Sequence, residues 1–353
     1  MSNLLSCSKE LEQDGGLVSD MPLVFSPTAD WPQMGNRDLS GSGTRSGNGT
    51  GTGAVTKALV ESAEDLKDYG ISLFATAKKD GNTYPVFNND NLKFTNGSWN
   101  YDITKYWIPG ASYSFAAFAP YAGTTGEGVN LSNGEVTVSA TATDPSITIE
   151  NYISGKGSGF DARDEDLLIA EYFRDNTAAS DYSAVPLKFT HLMSCITFNI
   201  RNATNDDIIS VDGIRLTGLL YKGNIQFSAS TLIVSENNAV VGESENYFAG
   251  NDMTGTAQSP FLPKGMSEAQ FKDLFDCKNL TVFPQTVWGR NIKIKFRVNY
   301  TSRSVDYTGD LSSIDNITSW DTGKKYKYNI TISSNEIIFQ VQEIPWIEHK
   351  IEL

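Results

Sequence analysis

The sequence predicts an all-β fold that contains two β-sandwiches. Its 353 residues are enough for two domains of roughly 150 residues each. Its 15 tyrosines and 18 phenylalanines, with abundant Thr, Val and Ile, favour strands over helices. Short apolar or alternating stretches recur at intervals of roughly 8–15 residues, separated by turn residues, and this spacing is typical of sandwiches.

The clearest strands lie near the C-terminus. Residues 292–300 alternate between apolar and mostly cationic side chains, as one buried and one wet face require. Residues 326–332 repeat the pattern, and a turn at 333–336 leads into a strand at 337–341. One helix is predicted at residues 267–275, with Ser267 as its N-cap. Earlier strands are predicted at residues 71–75, 113–118, 136–138 and 166–170.

Residues 185–200 change the parity of their apolar side chains. Leu187 and Phe189 share one parity, whereas Ile196 and Phe198 share the other. One continuous strand cannot place both sets on the same face. Either a bulge near residues 192–195 or a strand that passes from one core to the next would account for the change.

These features divide the chain into three regions. Residues 1–53 form an N-terminal tether that ends in the Gly/Ser/Thr-rich linker at 41–53. Residues 54–203 form the first sandwich, and residues 204–353 form the second. The boundary is placed at residues 202–205, directly after the change of parity.

Charge and residue inventory exclude several classes of function. The formal net charge of −14 argues against nucleic acid and anionic membrane surfaces as partners. With only two histidines and three cysteines, most catalytic and zinc-site constellations are excluded, so we expect no enzyme activity, no cofactor and no metal. No stretch reaches the roughly 18 apolar residues of a transmembrane helix.

The remaining candidates for chemistry favour structural roles. His191 is in phase with buried positions, which favours a structural histidine over a catalytic base. The acidic residues at 161–166 do not fit a calcium-loop spacing, so a solvated turn is favoured. Cys195 and Cys277 could form a disulfide, but two buried thiols are favoured because the residues are far apart in sequence. The three tryptophans in strand-like contexts are assigned to cores rather than to sugar stacking: Trp99, Trp107 and Trp320.

The first residues resemble a lipoprotein signal. A small residue and two leucines precede Cys7, which is the form of a bacterial lipobox, and a polar stretch follows it. We therefore expect Cys7 to be acylated, with the acyl chains anchoring the protein to a membrane. The basic and apolar regions of a signal peptide do not precede it, so we expect that the natural precursor starts further upstream or that this chain has been trimmed.

Two basic residues beside the linker are candidate cleavage sites. Lys57 follows the linker and precedes β-rich sequence, and Arg45 lies within the linker. Exposed, flexible basic sites are where trypsin-like proteases cut. The residues alone leave open whether the tether is cut at either site or remains intact.

Several segments together resemble the fimbrillin family, the pilus subunits of Gram-negative gut and oral bacteria. The matching segments cover most of residues 56–346 in the order found in the family. In the first half they are residues 99–109, 115–121, 166–170 and 185–191. In the second half they are residues 283–285, 320–328 and 337–346.

The resemblance implies two transthyretin-like sandwiches and a structural role in a surface fimbria at the outer membrane. It also implies cleavage by a trypsin-like protease near the first sandwich, with Lys57 as first choice and Arg45 as second. Removal of the N-terminal segment with its first strand would leave a groove that another fimbrial subunit fills with a strand. The adhesion ligand stays unknown.

Position in the fimbria is predicted from the C-terminal region. If residues 337–346 belong to the subunit's own sheet, the seven residues that follow Trp346 would span about 23 Å. That length is short for a donor strand, so a tip or minor subunit is favoured over a shaft subunit. The alternative function is a non-polymerising surface lipoprotein that binds glycans.

Overall fold

The computed structural model describes most of the two predicted sandwiches. The described residues are 21–29, 63–67, 69–121, 135–140, 145–153, 167–177, 181–220, 222–228, 231–236, 248–249, 252–274, 280–314, 317–334 and 336–344. Within them the protein is almost entirely β-structured, which confirms the predicted fold class.

The strands are numbered in chain order. In the first half they are β1 (Thr28–Ala29), β2 (Ile71–Lys79), β3 (Asn82–Thr95), β4 (Ser98–Asn100), β5 (Ser112–Ala119), β6 (Glu135–Ala140), β7 (Pro145–Ile153), β8 (Leu168–Asp175), β9 (Lys188–His191) and β10 (Ser194–Asn202). In the second half they are β11 (Ile208–Thr217), β12 (Lys222–Ser228), β13 (Thr231–Glu236), β14 (Phe248–Ala249), β15 (Met253–Thr254), β16 (Lys272–Asp273), β17 (Leu280–Val282), β18 (Gln285–Thr286), β19 (Lys293–Tyr300), β20 (Ser304–Asp310), β21 (Ser319–Trp320), β22 (Lys325–Ile332) and β23 (Ile337–Ile344). Within the described residues, the helical elements are α1 (Ala63–Leu66) and two 3₁₀ turns, Glu268–Gln270 and Leu311–Ser313.

The first half of the chain forms a seven-stranded sheet in the order β1-β9-β8-β5-β2-β3-β4. Its central strands, β2 and β5, are buried on both faces, which explains their nearly continuous apolar sequences. Leu73 and Phe115 face the first apolar core. Phe74 and Phe118 face the opposite way, into a separate apolar cluster.

The second half builds its core between two further sheets. One contains β16, β10, β22 and β23, and the other contains β14, β11, β19 and β20. Strand β19 alternates between buried and more exposed residues as its sequence predicts. Strand β22 does not keep the predicted wet face, because Lys325 and Thr331 are also buried. It pairs with β10 along one edge and with β23 along the other.

The change of parity at residues 185–200 is a passage from one core to the next. Strand β9 pairs with β8 in the seven-stranded sheet, whereas β10 pairs with β22 in the second half. Leu192 and Met193, between them, are fully buried in the apolar cluster that also holds Phe74 and Phe118. The second of the two predicted explanations is therefore confirmed.

A four-stranded sheet links the two halves of the chain. It has the order β13-β12-β7-β6, so two strands from before residue 203 pair with two strands from after it. Ile149 of β7 and Ile225 of β12 lie in the same cluster as Phe74 and Phe283. The apolar cluster thus receives side chains from both halves, and the proposed boundary at residues 202–205 stays a prediction.

The predicted helix at 267–275 is wrong beyond its first turn. Ser267 does form a capping box with Gln270. Phe271 then adopts an extended backbone, and β16 pairs antiparallel with β10. The capping signal is local, whereas the hydrogen bonds offered by the edge of β10 are long-range and determine the conformation after Gln270.

Candidate functional site

Residues 21–29, here called segment 21–29, lie in a groove of the first core. One wall of the groove is residues 105–107. The backbone N–H of Leu23 donates to the carbonyl of Lys105 at 2.8 Å, and that of Trp107 donates to the carbonyl of Met21 at 3.1 Å. Segment 21–29 therefore pairs with this wall as a strand would.

The second wall is residues 185–189, which end in β9. The N–H of Val185 donates to Val24 at 2.8 Å, and the N–H of Ser26 donates back to Val185 at 3.0 Å. The N–H of Thr28 donates to Leu187 at 2.8 Å, where β1 pairs parallel with β9. Backbone groups on both sides of segment 21–29 are thus satisfied by the groove.

Two side chains of segment 21–29 complete the first core. Leu23 is 1% exposed and Phe25 is 7% exposed. The Phe25 ring makes edge-to-face contacts with Phe87, Tyr101 and Phe115, at centroid distances of 5.5, 5.8 and 6.0 Å. This pocket of aromatic rings selects an aromatic side chain at that position.

A half-buried hydroxyl fixes the depth at which segment 21–29 sits. The hydroxyl of Tyr101 donates to the carbonyl of Leu23 at 2.7 Å. Burial raises the pKa of Tyr101, so its hydroxyl stays protonated and can donate at physiological pH. Val24, between the two buried residues, is 45% exposed, which gives the alternation of a half-buried strand.

The geometry of the groove suits an extended peptide. It offers backbone hydrogen bonds along two walls and a pocket for alternate side chains, which are the two elements of recognition by strand addition. Without segment 21–29, the groove would expose unpaired backbone groups and an apolar cleft.

The predicted modification sites flank segment 21–29 in sequence. Cys7 precedes it, and Arg45 and Lys57 follow it. All three lie outside the described residues, so their assignment stays a prediction. A cut at either basic residue would separate segment 21–29 covalently from both sandwiches.

Sequence reasoning missed segment 21–29 because it has no sustained period. The available signal was the short run Leu23, Val24 and Phe25 between Pro22 and Pro27. Two prolines around three apolar residues indicate a short extended stretch with one buried face.

Strand β23 is held by its own sheet. It pairs antiparallel with β22 along all eight residues. Phe339 packs on the second core, and its ring lies directly over Gly309 on β20. Among the described strands, only β22 pairs with β23, so its other edge faces no described strand.

The other candidate residues have structural surroundings where they are described. His191 is 5% exposed in β9, and Trp107 and Trp320 are fully buried in the cores, as predicted. Cys195 is buried. Cys277 and residues 161–166 lie outside the described part of the chain.

The described ranges hold no cluster of metal-ligating side chains and no membrane-spanning helix. No group of three or more His, Cys, Asp or Glu side chains there could hold a metal ion. None of the helices in those ranges has the length and apolar character to cross a membrane.

A family model described as fimbrillin-like matches residues 56–346. The chain therefore belongs to the fimbrillin-like family, as the sequence resemblance predicted, and it is a fimbrial protein of the cell surface rather than an enzyme.

Solved structures resemble the fold. A fimbrial protein from Bacteroides vulgatus is 21% identical with a TM-score of 0.58, over 80% of this chain and 95% of that chain. A candidate cell adhesion protein from Bacteroides ovatus is 15% identical with a TM-score of 0.47, over 95% and 100% of the two chains. At this identity the likeness to the Bacteroides vulgatus structure shows the fold alone. A search of curated proteins found no match.

Proposed function

We propose that the protein is a structural subunit of a cell-surface fimbria that contributes to adhesion and binds its neighbour by strand exchange in the groove. The observation that carries this proposal is segment 21–29, which fills the groove and precedes both candidate cleavage sites. Cleavage by a trypsin-like protease after Lys57 or Arg45 would let segment 21–29 leave. A strand from another fimbrial subunit would then take its place, with an aromatic side chain in the pocket of Phe25.

Limited proteolysis tests the proposal directly. Brief trypsin treatment of the full chain should produce one stable core whose new N-terminus follows Arg45 or Lys57. A peptide with the sequence of residues 20–30 should then exchange into the groove, because it supplies the same Leu23 and Phe25 contacts. The matched control is the double variant Arg45→Gln, Lys57→Gln. This variant should stay unprocessed when it is exposed to the protease of its own cell surface. A stable core that begins past Gly70 would contradict the proposal.

Anchoring at the outer membrane is the second part of the proposal. Acylation of Cys7 would hold the unprocessed chain at the membrane through the tether. When the chain is expressed behind a lipoprotein signal peptide, Cys7→Ala should abolish labelling by palmitate and release the protein, whereas Ser8→Ala should change neither. Continued labelling of Cys7→Ala would disprove the assignment.

The position at a tip, or as a minor subunit, is supported by the pairing of β23. A subunit donates a strand only if that strand can leave its own sheet, and β23 is bonded to β22 along eight residues. Gold-labelled antibody should therefore decorate the ends of fimbriae. Uniform labelling along the shaft would contradict this position.

The alternative, a glycan-binding lipoprotein, has one observation in its favour. Trp288 is 50% exposed in a turn after β18. Stacking on a sugar normally needs an aromatic platform with polar groups around it, and one exposed indole does not provide that. Loss of glycan binding in Trp288→Ala, in a protein that is never processed, would favour the alternative.

A further inference from the structure

Arg174, on β8, is a buried cation next to the groove. It is 5% exposed. Its Nη1 donates to the carbonyl of Ser183 at 2.7 Å, and its Nη2 donates to the carbonyl of Ala184 at 3.2 Å. Its guanidinium also lies over the Trp107 ring, 4.9 Å from the centroid.

The burial of this guanidinium is not explained by a close ion pair. Its Nε lies 3.7 Å from the carboxylate of Asp181, which is 56% exposed. Carbonyl oxygens and the Trp107 ring therefore provide most of its partners. Removing a charge from water is costly, and a packed apolar side chain would fill the same space at a lower cost. The guanidinium of Arg is planar, carries several N–H donors in a fixed arrangement and can stack on an aromatic ring, whereas the ammonium group of Lys cannot do this.

The partners of Arg174 lie in one wall of the groove and directly beside the other. Trp107 donates its backbone N–H to segment 21–29 from the first wall. Ala184 directly precedes Val185, which pairs with segment 21–29 from the second wall. Arg174 thus joins the two walls through contacts that do not involve segment 21–29, so these contacts persist when the segment leaves.

We propose that Arg174 is a positioning residue that holds the two walls at strand spacing once segment 21–29 has left, so that the groove can receive an incoming strand. The inference rests on the proposed function, because it concerns the same groove in its vacated state. In the intact chain, segment 21–29 itself bridges the walls, and Arg174 matters less. In the processed chain, Arg174 remains as a bridge, beside the contact of the Trp107 ring with the Tyr182 ring at 6.1 Å.

The test compares Arg174→Met and Arg174→Lys with the matched control Arg201→Met. Arg201 lies on β10, which pairs with β22 in a sheet of the second core. It donates to the carbonyl of Met266 at 3.2 Å and covers the Phe271 ring at 5.3 Å, so it makes the same kinds of contact away from the groove. Each full-length protein is cut with trypsin, and binding of a fluorescent peptide of residues 20–30 is measured by anisotropy. Amide exchange at Trp107 and Val185 is followed before and after the cut.

The expected result separates positioning from general stability. Both Arg174 variants should bind the peptide about tenfold more weakly than the wild type, and Arg201→Met should bind it normally. The amides of Trp107 and Val185 donate to segment 21–29, so they should stay protected in the uncut variants. After the cut, added peptide should restore their protection more fully in the wild type and in Arg201→Met than in the Arg174 variants. If Arg174→Met does not fold, Arg174→Lys, which keeps the charge and the length, still makes the comparison.

Three results would overturn the inference. If the cut wild type binds the peptide and both Arg174 variants bind it equally well, Arg174 does not position the walls, although the proposed function stands. The inference also fails if the two amides lose protection in the uncut variants, because Arg174 would then be a general stabiliser. If the cut wild type binds no peptide at all, the proposed function and this inference both fail.

Discussion

At the scale of single residues, Phe25 determines how firmly segment 21–29 is held. Its ring is nearly buried among three aromatic rings, whereas the adjacent Val24 is 45% exposed. The two residues lie in the same stretch of backbone. Substituting each in turn therefore separates the contribution of the aromatic pocket from that of the backbone pairing.

We predict that Phe25→Ala destabilises the docked segment by about 3–5 kcal/mol, the usual cost of deleting a buried aromatic side chain. Protease sensitivity of the tether and amide exchange at Leu23 should both rise strongly. Val24→Ala is the control and should change the free energy of docking by less than about 0.5 kcal/mol, as expected for a surface substitution. Equal effects of the two substitutions would mean that the pocket does not hold the segment.

Buried tyrosines set the alkaline limit of stability. Burial raises the pKa of Tyr113 to about 12, and burial likewise raises the pKa of Tyr326 to about 12. A pKa that is higher in the folded state means that the stabilisation is fully present below the pKa of the unfolded chain, about 10. It is lost as the pH rises from there through about 12.

We predict that the free energy of unfolding is nearly constant from pH 7 to about 9 with respect to these groups and falls between about 10 and 12. Tyr113→Phe should reduce that fall, because it removes one of the groups that resist ionisation. Urea unfolding at a series of pH values measures the effect. Parallel losses in the wild type and in Tyr113→Phe would show that Tyr113 does not contribute.

At the scale of elements, the packing of β23 depends on a residue of β20 that has no side chain. A Cβ atom added at Gly309 would come within 2.0–2.8 Å of three ring atoms of Phe339. The glycine is therefore needed for space, and its absence would push the Phe339 ring off the second core.

We predict that Gly309→Ala destabilises the protein by about 1–3 kcal/mol, the usual cost of overpacking, and raises amide exchange along β23. The control is Thr308→Ala on the same strand, which is exposed and should have little effect. Unchanged exchange in β23 of Gly309→Ala would show that the ring moves aside without loosening the strand.

The same scale shows which elements could be predicted from sequence. Strands with strict alternation, such as β19, were predicted within a residue of their ends because burial on one face repeats at every second position. The helix at 267–275 was overpredicted because its capping signal is real but local, and pairing of β16 with β10 is not visible in a single sequence. The groove was missed for a related reason, because the residues that pair with Leu23 and Phe25 are distant in the chain.

At the scale of the whole molecule, an apolar cluster couples the two halves. Phe74 and Phe118 from the seven-stranded sheet stack with centroids 6.0 Å apart, and Phe283 from the second half is fully buried in the same cluster. The sheet that pairs β7 with β12 crosses between the halves at the same place. We therefore expect the halves to unfold together.

We predict that Phe283→Ala costs about 3–5 kcal/mol and splits a single thermal transition into two, because it removes apolar contact where the halves meet. Phe296→Ala is the matched control, since Phe296 lies within the core of the second half alone. It should lower the transition temperature and leave one transition. Calorimetry distinguishes the cases, and a single transition in Phe283→Ala would contradict the coupling.

We propose that segment 21–29 is a removable strand whose place in the fimbria is taken by a strand of another subunit. Mass spectrometry of the protein recovered from assembled surface fimbriae distinguishes the two arrangements. We expect an N-terminus directly after Arg45 or Lys57 and no peptides from residues 21–29. Assembled protein that still carries residues 21–29 joined to the first sandwich would contradict it.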